Sequence, residues 1–297
     1  MKNNLLNSFS IIKNSKFFIL LIFISANSFS LYGIDRPIAP TVKDSLQKVH
    51  DSWDRFSLST GVFFSNYSSG ISIGSKKIGL GVHVDIENIL GLETSTTAFK
   101  GNANYRFGKS MRHVISFGYF GIYRNSYKVL KKELEIGEIV FPIGVEIRSK
   151  FDLTIFRIKY DYSFLHNKNV SLGASFGLFI MPISFSVKTL NFEEQAAQFI
   201  APLPVLGLRT DFMIVKNISL HQSVELLLLS FENFQGRILD VDLSLEHQIF
   251  KYASYGIGVN SNSLTISAKG KDNSSIEFFG ELEMEYAGVY LFIKYRI

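Results

Sequence analysis

The sequence lacks several features that would assign a function directly. It has no cysteine among its 297 residues, which excludes disulfides and thiolate metal sites in an exported chain. Only one segment is a continuous apolar run, although 46% of the residues are hydrophobic. The apolar residues are therefore spread out rather than gathered into spans of about 20 residues. Basic residues are scattered despite a net charge of +5, which argues against a nucleic-acid-binding surface.

What the sequence does contain is alternation with a period of two residues. In 54–64 the apolar residues take every second position, and 78–86, 156–164 and 170–180 repeat this pattern. Successive side chains of a strand point to opposite faces, so each segment predicts a strand with one apolar face. We predict an all-β fold, an antiparallel transmembrane β-barrel of about 10–12 strands over residues 54–297. Twelve strands are the first choice and ten the second.

Two places interrupt the alternation. The run Leu226–Leu229 puts apolar side chains on both faces of a predicted strand. Pro182 lies in the middle of an otherwise regular strand and predicts an edge position or a bulge, because proline has no backbone donor.

The amino terminus has the composition of a secretory leader. Lys13 and Lys16 precede the apolar run 17–24, and small residues follow, which predicts a signal peptide over 1–30 with cleavage near Ser28 to Ser30. An uncleaved inner-membrane anchor is the alternative. Residues 31–53 are interpreted as a periplasmic segment, either one helix that plugs the barrel entrance or a flexible leader to the first strand.

The polar faces of the strands carry charges, which we place in the barrel lumen or outside the bilayer. A Lys or Arg at mid-bilayer costs about 2–4 kcal/mol, so a series of charges cannot face lipid. In 278–286, the apolar residues Phe278, Leu282, Met284 and Tyr286 share one face, predicted to face lipid, and three glutamates share the other. The candidate lumen-lining charges are Arg157, Lys159, Asp161, Arg209, Asp211, Asp240, Asp242, Glu246, Glu281, Glu283 and Glu285.

The segment 54–297 resembles uncharacterised small-barrel, porin-like proteins of the bacterial outer membrane. The resemblance rests on Asp54-Arg55-Phe56, 104–107, 160–164, 280–286 and the last strand, which ends in Ile297 where such proteins usually end in Phe or Trp. It implies a barrel in the outer membrane of a Gram-negative bacterium. It also implies three partners, namely outer-membrane lipid, lipopolysaccharide and the barrel assembly machinery. It implies no activity.

No constellation of residues points to catalysis, a cofactor or a metal. His221-Gln222-Ser223 and His113-Val114-Ile115-Ser116 come nearest to the Ser–His motifs of outer-membrane lipid hydrolases, but neither has a recognisable third partner. His83-Val84-Asp85 and the three glutamates of 281–285 are better explained as a charged wall than as a cation site.

The sequence leaves the function open between several hypotheses. The leading one is an outer-membrane barrel that acts as a narrow pore for small solutes or as a structural or surface protein. Unpaired acidic residues in the lumen would favour cations, whereas pairing with Arg157, Lys159 and Arg209 would seal it. The alternatives are a lipid-modifying barrel enzyme and a soluble, periplasmic, lipocalin-like binder, whose apolar face would point inward.

Overall fold

Ten long antiparallel strands form a closed barrel in the computed structural model. Each strand pairs with the next long strand along the chain, and β13 pairs with β1 to close the sheet. The ten strands are β1 (Phe56–Ile73), β3 (Ser95–Phe107), β4 (His113–Val129), β7 (Glu146–His166), β8 (Val170–Lys188), β9 (Gln195–Val215), β10 (Ile218–Phe231), β11 (Phe234–Phe250), β12 (Ala253–Ala268) and β13 (Gly280–Arg296). The structure describes residues 53–73, 83–136, 139–189, 195–231, 234–268 and 280–297.

The two ends of the barrel have different connections. The short turns 108–112, 167–169, 216–217 and 251–252 lie at the end that also carries Trp53 and Ile297. Three additional short strands lie at the opposite end: β2 (His83–Asp85), which extends the sheet beside β1, and the hairpin of β5 (Leu134–Ile136) and β6 (Ile139–Phe141). Outer-membrane barrels keep their short turns in the periplasm, so we name these the periplasmic and the extracellular end.

The all-β barrel expected from the sequence is confirmed, but with ten strands rather than twelve. The strands are 13 to 21 residues long, whereas a tilted strand spans a bilayer with about 9–11 residues. Because each strand is longer than a bilayer requires, the same length of chain forms fewer strands. Ala287 and Gly288, a possible turn, instead continue β13 in register with Asn66 and Ser65 of β1.

The two faces of the barrel wall exchange their chemical character along each strand, as β8 illustrates. At its periplasmic end the inward residues are small, and at its extracellular end they are large and apolar. The inward series is Ser171, Gly173, Ser175, Gly177, Phe179, Met181, Ile183, Phe185 and Val187. The outward series changes in the opposite sense and is Val170, Leu172, Ala174, Phe176, Leu178, Ile180, Pro182, Ser184, Ser186 and Lys188.

The same exchange occurs in β7, β9 and β13, so the barrel has two halves. In the periplasmic half, apolar side chains face outward as a band, here called the apolar belt, which includes Leu58, Phe64, Phe117, Phe156, Ile158, Phe176, Leu206, Leu208, Ile257, Leu291 and Ile293. In the extracellular half, apolar side chains fill the interior as one cluster, here called the upper core, which includes Phe63, Phe120, Phe151, Leu153, Ile155, Phe179, Phe185, Leu203, Ile266, Leu282 and Met284.

This exchange corrects the expectation for β13. Leu282, Met284 and Tyr286 are buried in the upper core, and Glu283 and Glu285 are exposed on the outer wall. The glutamates, with Glu281 on the same face, therefore do not line the lumen. The reason is that this segment lies in the extracellular half, where the barrel is apolar inside and polar outside. Phe278 lies outside the described residues.

The wall has a seam in its extracellular half between β9 and β10. The pairing between these strands ends at Leu206↔Leu226, although β9 continues to Gln195 beside β8 and β10 continues to Phe231 beside β11. The Met213 backbone N–H donates to the Asn169 carbonyl, on the β8 side. Even-numbered residues of β9 therefore direct their backbone groups toward β10.

Two of those even-numbered residues are Pro202 and Pro204. Since proline lacks an N–H, the β9 side of the seam has no donor at these two positions. On the other side, Leu228 is 78% exposed while Leu227 packs against the upper core. The leucine run that breaks the alternation therefore packs one face against the upper core and leaves the other exposed on the outer wall.

Two expected elements of the amino terminus cannot be compared with the structure. The signal peptide over 1–30 and the segment 31–52 lie outside the described residues. No described helix has the length and apolar character needed to cross a membrane.

Candidate functional site

The lumen of the periplasmic half is lined by charged side chains of both signs. Among the described residues, the cations that form ion pairs there are as many as the carboxylates, not counting His221. The cations are Lys100, Arg106, Arg157, Lys159, Arg209, Lys294 and Arg296, and the carboxylates are Asp54, Asp161, Asp211, Glu225, Asp240, Asp242 and Glu246. This balance offers a solute neither a cation-selective nor an anion-selective wall.

Asp240 is, with Asp161, one of the two carboxylates of the network that have 0% exposure. Its oxygens lie 3.4 Å from an Arg157 nitrogen and accept hydrogen bonds from the side-chain amides of Asn260 and Asn262 at 3.1 and 2.8 Å. A buried charge is tolerated only when it is paired and hydrogen-bonded. Arg157 lies on β7, Asp240 on β11 and both asparagines on β12, so the interaction ties these three strands together across the lumen.

A second group centres on Arg209, which inserts between two carboxylates. Its guanidinium donates to Asp161 at 3.2 Å, to Ser163 at 3.1 Å and also to Asp211. His221 then bridges Asp211 and Glu246, with 3.0 Å from one ring nitrogen to each carboxylate. Both ring nitrogens are thus engaged, which leaves the imidazole without a free nitrogen for proton transfer.

Two further pairs complete the lumen wall. Lys159 pairs with Glu225, and Lys100 pairs with Asp242. The Tyr290 hydroxyl donates to the other oxygen of Asp242 at 2.6 Å, and the Lys100 ammonium lies 3.9 Å from the Tyr290 ring centre. Lys100 is therefore held by a carboxylate and by an aromatic face at the same time.

Trp53 closes much of the periplasmic mouth. Its indole N–H donates to the Asn167 carbonyl at 2.7 Å, in the turn between β7 and β8, and its ring lies 5.5 Å from the His166 ring. Nearby, Asp54 accepts from Lys294 and Arg296 at 3.2 and 2.5 Å. Trp53 thus reaches across the barrel to the turn between β7 and β8, whereas Asp54 pairs with the neighbouring strand β13. A cavity of about 230 Å³ remains in the lumen, and Trp53, Lys100, Arg157 and His221 contribute to its wall.

The extracellular half is closed by the upper core and by a segment that folds onto it. Residues 86–92, here called the cap, bury Ile86, Leu90 and Leu92 in the upper core. Arg124 on β4 pairs with Glu87 of the cap at 2.5 Å, and their side chains are 1% and 5% exposed. The Ser126 hydroxyl donates to the Leu90 carbonyl at 2.6 Å.

The structure places eight of the eleven predicted charges in the lumen: Arg157, Lys159, Asp161, Arg209, Asp211, Asp240, Asp242 and Glu246. It places Glu281, Glu283 and Glu285 on the outer wall. Sequence reasoning missed Asp54, Lys100, Arg106, His221, Glu225, Lys294 and Arg296 as parts of the network. The sequence pattern could have predicted Glu225 as a lumen residue, because it shares its strand face with His221 and Ser223 at a spacing of two residues.

Neither of the two Ser–His motifs named from the sequence forms a hydrogen-bonded Ser–His pair; the described residues contain such a contact elsewhere, between His166 Nδ1 and the buried Ser171 hydroxyl at 3.0 Å. His113 lies on the outer side, where it bonds to the Tyr160 hydroxyl at 2.7 Å, while Ser116 lines the lumen cavity. Ser223 and His221 share the lumen face, but the Ser223 hydroxyl donates to Glu225 at 3.3 Å and both His221 nitrogens are bonded elsewhere. Within the described residues, no group of three or more His, Asp or Glu is arranged to hold a metal ion.

Comparison with known proteins gives similarity of fold and not of sequence. No protein-family model matches the chain, and no curated protein matches it significantly. The outer membrane protease OmpT of Escherichia coli is 10% identical over 81% of this chain and 97% of its own, with a TM-score of 0.50. The Ail protein of Yersinia pestis (9% identity, 80% and 99% covered) and the transport unit of the autotransporter AIDA-I of Escherichia coli (12%, 92% and 97%) have TM-scores of 0.35 and 0.39.

The OmpT likeness, at this identity, concerns the arrangement of strands alone. It agrees with the closed antiparallel barrel of this chain. The chain therefore has the fold of the bacterial outer-membrane β-barrel proteins.

Proposed function

We propose that this protein resides in the bacterial outer membrane as a closed barrel, and that it acts as a structural or surface-interaction protein rather than as an open pore. The observation that carries the proposal is the filled interior. The upper core and the cap occupy the extracellular half, and a charge-balanced network occupies the periplasmic half. A solute pore needs a continuous wet path.

The outer-membrane position is supported by the apolar belt. Exposed Phe, Leu, Ile and Val side chains on the outer wall would be an aggregation hazard in water, whereas a transmembrane barrel requires such a band. Tyr160, Tyr162, Tyr252 and Tyr295 are exposed toward the periplasmic edge of the belt. Tyrosine is enriched at such interfaces because its ring is apolar and its hydroxyl is polar.

A surface role is supported by the strands that continue beyond the belt. In this extracellular half the outer wall carries polar and charged side chains, such as Ser184, Lys188 and Glu285, and encloses its own apolar core. A barrel that only needed to cross the membrane would not require this second, independently packed half.

The test has two parts. Heating should change the gel mobility of the purified barrel, and the protein should stay in the membrane pellet after urea washing. In planar bilayers the wild-type protein should produce no conductance steps, and a known porin prepared in the same detergent provides the positive control. Regular single-channel steps from the wild-type barrel would contradict the closed lumen, and release into the soluble fraction would contradict the membrane position.

A further inference from the structure

The outer wall of β9 and β10 carries an amide within the apolar belt. Gln222 lies between His221 and Ser223, whose side chains point into the lumen and bond to carboxylates there, so the Gln222 side chain points outward. Its neighbour in the register is Thr210 of β9, and cross-strand neighbours share a face of the sheet. Two polar side chains therefore lie together on the lipid-facing side of the wall.

Belt residues surround this polar spot. Leu208 and Leu226 are exposed on its extracellular side, and Ile214 is exposed on its periplasmic side. In the described part of the chain, neither Gln222 nor Thr210 has a side-chain hydrogen-bond partner. Acyl chains offer none either, so an amide at this depth loses the hydrogen bonds that it makes in water. The position calls for a polar partner from outside the chain.

The wall around the polar spot is free of charge. The outward positions of 196–214 on β9 and of 220–230 on β10, here called the β9–β10 face, hold no Asp, Glu, Lys or Arg. The outer wall of β13, by contrast, carries Glu283 and Glu285, and that of β7 carries Arg148 and Lys150. Like charges on two β13 walls would repel each other, whereas two β9–β10 faces can meet without that cost.

We propose that a second copy of this chain packs on the β9–β10 face, in a dimer whose twofold axis runs along the membrane normal. Such an axis brings the same patch of both copies together and places identical residues at identical depth, so Gln222 meets Gln222 of the partner subunit. A carboxamide donates through its NH₂ group and accepts through its carbonyl oxygen, so two of them form a reciprocal pair of hydrogen bonds. A different protein would need a matching polar group at that same depth.

The apolar part of the face supplies the packing around this amide pair. Leu228 is more exposed than any other large apolar side chain of the described residues, and it lies next to the level where the β9–β10 pairing ends, Leu206↔Leu226. Side chains that project from the wall gain van der Waals contact when a fitting surface packs against them. An open sheet edge does not occur exposed to lipid, so the second copy would also shield the lower end of the seam.

The test uses the full chain and exploits its lack of cysteine. Lys216 is exposed in the periplasmic turn between β9 and β10, directly below the β9–β10 face. In isolated outer membranes, a short bismaleimide reagent should join K216C chains into a product of twice the chain mass. K109C is the matched control and should stay monomeric, because Lys109 is exposed in the turn between β3 and β4, almost across the barrel in the strand order.

Three outcomes of the cross-linking would overturn the proposal. Equal cross-linking of K216C and K109C would indicate random collision in the membrane. A K216C product of any mass other than twice the chain mass would indicate a different partner. K216C that stays monomeric would show that no second copy lies beside this turn.

The amide is tested by substitution in lipid vesicles. Energy transfer between labelled K216C chains, measured at increasing protein-to-lipid ratios, gives the fraction of dimer. K216C/Q222L should weaken the association about 5- to 30-fold, the range expected for an amide hydrogen bond between membrane segments. K216C/T60V removes an exposed hydroxyl from the outer wall of β1 instead and should associate like K216C. Equal association of K216C and K216C/Q222L would contradict the amide pair.

This inference rests on the proposed outer-membrane position but not on the closed lumen, and the two fail in different ways. Heat-modifiable gel mobility, measured on every variant, reports the folded barrel. A folded barrel that stays in the membrane pellet as a monomer contradicts the second copy alone. A wild type without this mobility contradicts the membrane position.

Discussion

Arg124 on the barrel wall and Glu87 on the cap form an ion pair of 2.5 Å whose two side chains are almost fully buried. Arg124 also donates to the Ser69 hydroxyl at 2.9 Å and lies 5.0 Å from the Tyr67 and Phe151 ring centres. Glu87 accepts from the Ser69 backbone N–H at 2.8 Å. One pair of charges therefore joins β1, β4 and the cap inside the upper core.

Removing one partner of this pair should destabilise the protein strongly. E87A leaves Arg124 buried and unpaired, so we expect a loss of about 3–5 kcal/mol in the free energy of unfolding, measured by urea titration in detergent micelles. E87L/R124M removes both charges and should recover most of the loss. Equal destabilisation by the single and the double variant would show that cap packing matters and the ion pair does not.

Lumen and surface lysines of the same strand should respond differently to substitution. K159M leaves Glu225, 2% exposed, without its cation, and should cost about 3–5 kcal/mol of unfolding free energy. K150M breaks an exposed pair whose lysine side chain is 60% exposed, and should have little measurable effect. Similar urea midpoints for the two variants would contradict the assignment of Lys159 to a dry lumen.

The apolar belt predicts a position-dependent cost of charge on β9. Leu208 is exposed within the belt, and Gln198 is exposed on the same face beyond it. L208R should make folding into lipid vesicles less favourable by about 2–4 kcal/mol, and Q198R by about 0–1 kcal/mol. Equal costs at the two positions would mean that the belt does not end between them.

Gly258 predicts a steric test of the lumen network. A Cβ atom there would lie 2.3 Å from Cζ of Tyr290, the residue that donates to Asp242. G258V should displace this ring and cost about 1–3 kcal/mol, with a changed near-ultraviolet circular dichroism spectrum. Gly101 is the control, because a Cβ there meets nothing closer than 3.6 Å; G101A should leave the spectrum unchanged.

The seam predicts a gain of structure on proline replacement. P204A supplies an N–H that faces β10 opposite Leu228, so the pairing should extend past Leu206↔Leu226. We expect slower hydrogen exchange in 226–230 and a stabilisation of about 0.5–1.5 kcal/mol for the added bond. P182A, whose N–H would face β7 instead, should leave exchange in 226–230 unaltered, and the same protection in both variants would refute the assignment.

The sequence predicts the strands of this fold well because alternation is a local property. The segment 156–164 shows which side chains share a face, and the structure places Arg157, Lys159 and Asp161 together in the lumen. Alternation does not show which face is inside. The glutamates of 281–285 lie on the outer wall rather than in the lumen, because the outer wall changes from apolar to polar partway along β13 while the period stays at two.

Other parts of the site depend on contacts that no local pattern encodes. Trp53 and Asn167 are 114 residues apart, and Glu87 and Arg124 are 37 apart. Which face of a strand is apolar also depends on the position along the barrel, which the period of two does not encode. The extracellular half is built like a soluble barrel and the periplasmic half like a membrane barrel, within the same ten strands.

The seam divides the barrel mechanically as well. Below Leu206↔Leu226 an unbroken ring of hydrogen bonds fixes the circumference, because widening it requires breaking a strand pair. Above this level the ring is cut, and the two prolines of β9 offer no bond that would have to break. The circumference of the extracellular half is therefore set by the packing of the upper core across the interior rather than by a complete ring of strand pairs.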